Sequence, residues 1–85
     1  MHWVYLIYSE GYNRYYVGLS NSPNRRLKEH NIGKTKSTRP YRPWILVHSE
    51  GFSTFAEARK REKYLKSAAG RRWRKVNIRP RSSTG

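Results

Sequence analysis

Apolar and aromatic residues crowd the start of the chain. WVYLIY, Trp3 to Tyr8, is followed by the polar stretch Ser9 to Arg14 and then by YYVG, Tyr15 to Gly18. Aromatic and β-branched residues suit a pleated, part-buried surface, and Gly11 with Asn13 supplies turn residues between the two runs, so the pattern predicts a hairpin. Trp3, Tyr5 and Ile7 fall on one face of the first strand; Val4, Leu6 and Tyr8 fall on the other. A strand apolar on both faces is covered on both sides, which predicts a central position in a sheet.

The period then changes. In SNSPNRRLKEHNIGK, Ser22 can cap a helix whose first position is Pro23, and Gly33 is placed to end it. Leu27 and Ile32 are the apolar residues available to anchor that helix. KTKSTRPYRP, with two prolines and Lys34, Lys36, Arg39 and Arg42, reads as a loop, and WILVHSE, Trp44 to Glu50, as a third strand. Thr54 and Glu57 form a capping box opening a helix from Phe55 to about Lys66. A last basic helix in AGRRWRKVNI is expected to offer Trp73 and Val76 to the core. Residues 1–78 then make one domain and 79–85 a frayed basic tail. The fold class predicted is α/β in the broad sense (α+β), a three-stranded antiparallel sheet flanked by helices.

Eighty-five residues support one modest core. With no cysteine the fold has neither disulfides nor thiolate metal ligands, which agrees with a reducing compartment. The apolar runs fall well short of the roughly 20 residues that span a bilayer, and the N-terminus lacks the pattern of a secretory signal. A soluble, cytoplasmic protein that makes no membrane contact is the expectation. Charge adds more: 19 Lys and Arg against five acidic residues give a formal net charge of +14. Such an excess points to a polyanionic partner, nucleic acid first, because cations gain affinity by releasing counterions from phosphates. Lys34, Lys36, Arg39 and Arg42, with Tyr41 among them, are the candidate phosphate-tracking and stacking surface. A mean hydropathy of −1.04 gives little support for a docking module with an exposed apolar patch.

Few residues can carry chemistry. Glu62 shares a helical face with Ala58 and Leu65, so one of only five carboxylates is predicted to lie on an apolar stripe. A carboxylate there must be ion-paired, metal-bound or protonated. Arg26 and His30 lie one turn apart on the first helix and share a face. Taken singly, Tyr5 and Tyr16 read as strand aromatics, Arg26 and His30 as a solvated basic face, Glu62 as half of an ion pair, and His2 and His48 as structural.

Their order says more than any one of them. A tyrosine in VYLI is followed by YVG closing a second strand, an arginine ten residues after Tyr16, a histidine four further on, and a glutamate in EKYLK on a later helix. The chain in this respect resembles the GIY-YIG nuclease superfamily, in particular its small single-domain bacterial members, from Trp3 to about Ile78. That resemblance implies a metal-dependent endonuclease that hydrolyses phosphodiester bonds in DNA with one divalent cation, Mg²⁺ or Mn²⁺, and no small-molecule cofactor. It places the two signature tyrosines at Tyr5 and Tyr16, the arginine at Arg26, the histidine at His30 and the metal-binding glutamate at Glu62. A single carboxylate with several waters suits Mg²⁺, and nearby positive charge is expected to favour the phenolate of Tyr5 or Tyr16 as the base. Trp3 and Val4 replace the glycine and isoleucine of the first signature, Leu19 stands where some relatives carry lysine, and Asn77 is the position matching a late family asparagine. The other function weighed is a non-catalytic nucleic-acid-binding domain that keeps the fold.

Overall fold

The computed structural model describes residues 1–78; the tail expected at 79–85 lies outside the described residues. Three strands and three helices follow in the order β1 (His2–Ser9), β2 (Arg14–Ser20), α1 (Pro23–Asn31), β3 (Ile45–Phe52), α2 (Phe55–Lys66) and α3 (Ala68–Asn77). The sheet is antiparallel with strand order β2-β1-β3, so the doubly apolar β1 is indeed central. Among the described residues no helix is long and apolar enough to cross a membrane.

Local chemistry accounts for the element ends. Asn13 closes the β1–β2 turn in the left-handed region at φ 51°, a conformation that asparagine tolerates, and its Oδ1 accepts from the Tyr8 hydroxyl at 3.0 Å. The Ser22 side chain accepts from the Arg25 amide to cap α1, and Gly33 at φ 87° turns the chain away after it. Thr54 caps α2 through the Glu57 amide, as its sequence pattern predicts. β3 starts one residue later than predicted because the Trp44 backbone is already engaged: its N–H donates to Asn31 Oδ1 and its carbonyl accepts from Asn31 Nδ2.

The two faces of β1 build two apolar clusters. Val4 and Leu6 pack with Val17, Ala58, Leu65 and Ile78 beneath α2 and α3. On the other face Tyr5, Ile7 and Trp44 pack with Leu27, Tyr16 and Tyr41 beneath α1 and the segment that follows it. Leu6 and Ile7 are wholly out of water, and each such side chain contributes about 1.5–3 kcal/mol.

Three expectations change. Val76 is 72% exposed, because α3 ends at Asn77 and the extended backbone at Ile78 turns that residue inward instead; Trp73 is half-buried against the core. Ile32 sits past the last turn of α1 and is exposed, so Leu27 and a fully buried His30 anchor the helix. The segment after α1 is not featureless: it holds a 3-10 turn at Arg39–Tyr41 and is pinned to the sheet. Ser9 Oγ donates to the Tyr41 carbonyl at 2.6 Å and Trp44 Nε1 donates to the Thr38 carbonyl at 2.9 Å.

Candidate active site

Tyr5 and Tyr16 project from adjacent strands on the α1 face of the sheet. Register explains the glycine that follows Tyr16. Gly18 pairs directly with Tyr5, and a Cβ there would collide with the Tyr5 ring and hydroxyl, so glycine clears the path along which the phenol crosses β2. Its role here is to admit this ring.

His30 meets that phenol. Tyr5 Oη lies 2.9 Å from His30 Nε2, and His30 Nδ1 lies 2.8 Å from Thr38 Oγ1, with all three residues buried. The Tyr16 ring stands 4.9 Å from the imidazole and 6.4 Å from the Tyr5 ring. Arg26 is near enough for its charge to act on the Tyr5 phenol and forms an ion pair with Glu29. Arg26 and His30 thus share a face as predicted, yet His30 is no part of a solvated surface, since none of it is exposed.

The polarity of this chain of bonds can be assigned. The Thr38 hydroxyl has the Thr35 carbonyl 3.4 Å away as an acceptor for its own proton. Thr38 then accepts from His30 Nδ1–H, leaving Nε2 to accept the Tyr5 proton. Burial, followed by the charge of Arg26, lowers the His30 pKa and keeps the ring neutral. Burial also raises the Tyr5 pKa and outweighs the opposing pull of Arg26. That corrects the expectation that positive charge makes Tyr5 a ready phenolate. Sequence reasoning missed Thr38 altogether; it sits in a basic loop with no periodicity, and only the tertiary fold carries it beneath the helix.

Glu62 is placed differently. Its buried position beside Ala58 and Leu65 is as the stripe predicts, but α2 packs on the opposite face of the sheet from His30. Its carboxylate is met by Arg59 Nη1 at 2.6 Å and by Lys66 Nζ at 2.9 Å. Burial alone would raise its pKa; Lys66 and Arg59 outweigh burial and hold the group ionised, below the usual range. The structure therefore brings Tyr5, Tyr16, Arg26 and His30 together and leaves Glu62 with its own cations.

The sequence matches the GIY-YIG catalytic domain over residues 1–77. The chain belongs to the GIY-YIG family. It is 39% identical over 66 residues to the UPF0213 protein YazA of Bacillus subtilis, covering 76% of this chain and 66% of that one. To the UPF0213 protein SH2523 of Staphylococcus haemolyticus it is 37% identical, covering 78% and 80%. A structure-specific endonuclease subunit SLX1 homolog of Brugia malayi is 34% identical over 94% of this chain and 27% of its own length. Among solved structures, the NMR structure of the UPF0213 protein BH0048 from Bacillus halodurans has a TM-score of 0.56 and 29% identity, covering 98% of this chain and 92% of that one.

Within this GIY-YIG domain the metal expectation meets a sparse donor set. Among the described residues no group of three or more potential ligands converges. One ionised carboxylate, bridged by two cations whose side chains are about half exposed, is what α2 offers. Such a donor fits a hard cation that keeps most of its waters, once Arg59 or Lys66 swings outward.

The loop surface is less committed than its composition suggests. Lys34, Lys36, Arg39 and Arg42 are exposed, with Arg39 Nε donating to the Gly33 carbonyl and Arg42 Nε to the Arg39 carbonyl. Tyr41 is half-buried, carries the Arg14 guanidinium 4.2 Å from its ring centre and meets the Tyr12 ring edge-on. Asn77 donates to the Trp73 carbonyl of its own helix.

Proposed function

We propose that this chain is a divalent-metal-dependent endonuclease that hydrolyses phosphodiester bonds in DNA by attack of an activated water. The observation that carries the reading is the buried Tyr5–His30–Thr38 chain of hydrogen bonds, with Arg26 and Tyr16 beside it. A neutral histidine with an open lone pair beside a phenol is a means of moving a proton, and it is an unusual arrangement to maintain in a core for packing alone. The SLX1 homologs among its relatives are described as structure-specific endonuclease subunits, which supports the same reaction class.

The residues divide the work as follows. Because Tyr5 is buried, the attacking water must enter with the substrate; Tyr5 then passes its proton to His30 Nε2 as it takes one from that water, so the raised phenol pKa is overcome only when the accepting imidazole is in place. Arg26 donates to the scissile phosphate and offsets charge that develops on its oxygens. Tyr16, on the neighbouring strand, orients the water or the phosphate beside the same histidine. Glu62, on the other face of the sheet, would hold one Mg²⁺ or Mn²⁺ ion, which would offset phosphate charge of the bound strand there.

A second reading, a nucleic-acid-binding domain without catalysis, draws on the two ion pairs that occupy Glu62. The test is cleavage of labelled single-stranded, duplex, flap and junction DNA with Mg²⁺, Mn²⁺ or EDTA at fixed salt, comparing wild type with Glu62→Ala and Tyr16→Phe. Metal-dependent cutting that both variants lose is the expected result. Binding without cutting in any metal, unchanged in Glu62→Ala, overturns it in favour of the second reading.

A further inference from the structure

Along the outer edge of β2 runs a cleft of about 340 Å³ whose walls are β2 itself and Leu65, and whose charged residues are Lys66, Arg71 and Arg74. Its volume is in the range that takes a nucleotide-sized group. The loop 34–42, where sequence composition drew attention, contributes no residue to this cleft.

Two cations of this cleft, Arg71 and Arg74, lack the neutralising partners found elsewhere on the molecule, whereas Lys66 is paired with Glu62. Glu29 is paired with Arg25 and Arg26, Glu50 with His48 and Arg61, and Glu62 with Arg59 and Lys66. Glu57 is turned toward its own helix cap. Among the described residues, neither Arg71 nor Arg74 has a carboxylate within ion-pair distance. They are nevertheless oriented: Arg74 stacks 4.0 Å over the Tyr15 ring, and Arg71 Nη1 donates to the Lys66 carbonyl at 3.4 Å. Burial and the neighbouring charge of Arg71 pull the Arg74 pKa down, against the effect of Tyr15, so a bound anion would relieve a repulsion already built in.

Position gives the cleft its meaning. The cleft lies at the edge strand β2, where Tyr16 also lines it, and the ring of that same residue stands 4.9 Å from His30 on the α1 face of the sheet. Resting on the proposed nuclease function, we infer that the β2-edge cleft is a phosphate-backbone site in which Arg71 and Arg74 hold a phosphodiester of the bound nucleic-acid strand. An arginine with a free guanidinium fork suits two oxygens of one phosphate, and stacking on Tyr15 fixes the plane of that fork in advance.

The test is fluorescence anisotropy of a labelled oligonucleotide, single-stranded and duplex, titrated with the whole protein in EDTA over a series of salt concentrations. Arg71 is exposed, so Arg71→Gln leaves the fold intact, as circular dichroism can verify. Lys63→Gln, on the exposed face of α2, removes the same charge away from the cleft. Each phosphate contact adds about 0.7 to 0.9 to the slope of log affinity against log salt. Arg71→Gln is expected to lower the slope by about that amount, Arg74→Lys to weaken binding with little change in slope, and Lys63→Gln to change neither appreciably. If Arg71→Gln and Lys63→Gln behave alike while the wild type binds, the cleft proposal falls and the nuclease reading stands. If the wild type binds no oligonucleotide, both fall.

Discussion

The Tyr5 hydroxyl and His30 Nε2 lie 2.9 Å apart inside the protein, joining the central strand to the first helix through a bond that solvent does not reach. Its direction depends on Thr38, which receives the other ring N–H. Thr38→Val keeps the volume and removes the acceptor, leaving a buried donor unmatched at a cost of about 1–3 kcal/mol. Nitrogen NMR of His30 is expected to show the proton on Nδ1 in wild type and displaced from it in Thr38→Val. Cleavage is expected to fall by about 10²-fold, with Thr38→Ser restoring both signals. An unchanged tautomer in Thr38→Val would mean that Thr38 is a packing residue.

Acid should loosen the fold before any glutamate titrates. His30 is neutral and buried, with a pKa below 6.5, whereas an unfolded histidine keeps its ordinary value. Below about pH 6.5 the unfolded chain therefore binds the extra proton, and stability falls as the pH drops toward the folded value. The lowered pKa values of Glu29, Glu50 and Glu62 act in the same direction only below about 4.5. Calorimetric melting between pH 7.5 and 5 is expected to show a declining transition temperature in wild type and a flatter profile in His30→Gln. Equal slopes would place the loss elsewhere.

Gly18 offers a packing test of the same site. Any side chain at this position meets the Tyr5 ring, which is buried in the cluster beneath α1. Gly18→Ala is expected to cost about 1–3 kcal/mol in urea unfolding. It is also expected to lengthen the Tyr5–His30 bond, so cleavage should fall even where the protein is fully folded. A variant as stable and as active as wild type would show that the Tyr5 phenol is not fixed where it lies.

Much of this was legible in the chain because local rules and tertiary needs agree. The doubly apolar β1, the Ser22 and Thr54 caps and the inward-facing Glu62 each follow from periodicity or a short motif. What was not legible depends on contacts between distant segments. Thr38 lies eight residues past His30 in a stretch without pattern, and it reaches the imidazole only because Ser9 and Trp44 pin the loop. Val76 is exposed and Ile78 takes the inward place instead, because the helix ends between them. The sign of the Tyr5 shift was also hidden, since a sequence displays the charge of Arg26 but not the burial that exceeds it.

Glu62 separates catalysis from stability most cleanly. Glu62→Gln keeps the shape and removes the charge that Arg59 and Lys66 share. Both partners are about half exposed, so their pairing is worth at most about 1 kcal/mol, and the folded state should survive with little change in its melting temperature. A bound cation would behave otherwise. Ligand that binds the folded state alone stabilises it by about 2.7 kcal/mol at a hundredfold excess over its dissociation constant. Titrating Mg²⁺ is therefore expected to raise the wild-type melting temperature and to leave Glu62→Gln unmoved. Because Lys66 competes with the ion for the carboxylate, Lys66→Gln should bind it more tightly than wild type. If Mg²⁺ stabilises all three proteins equally, the ion acts elsewhere and Glu62 belongs to the scaffold.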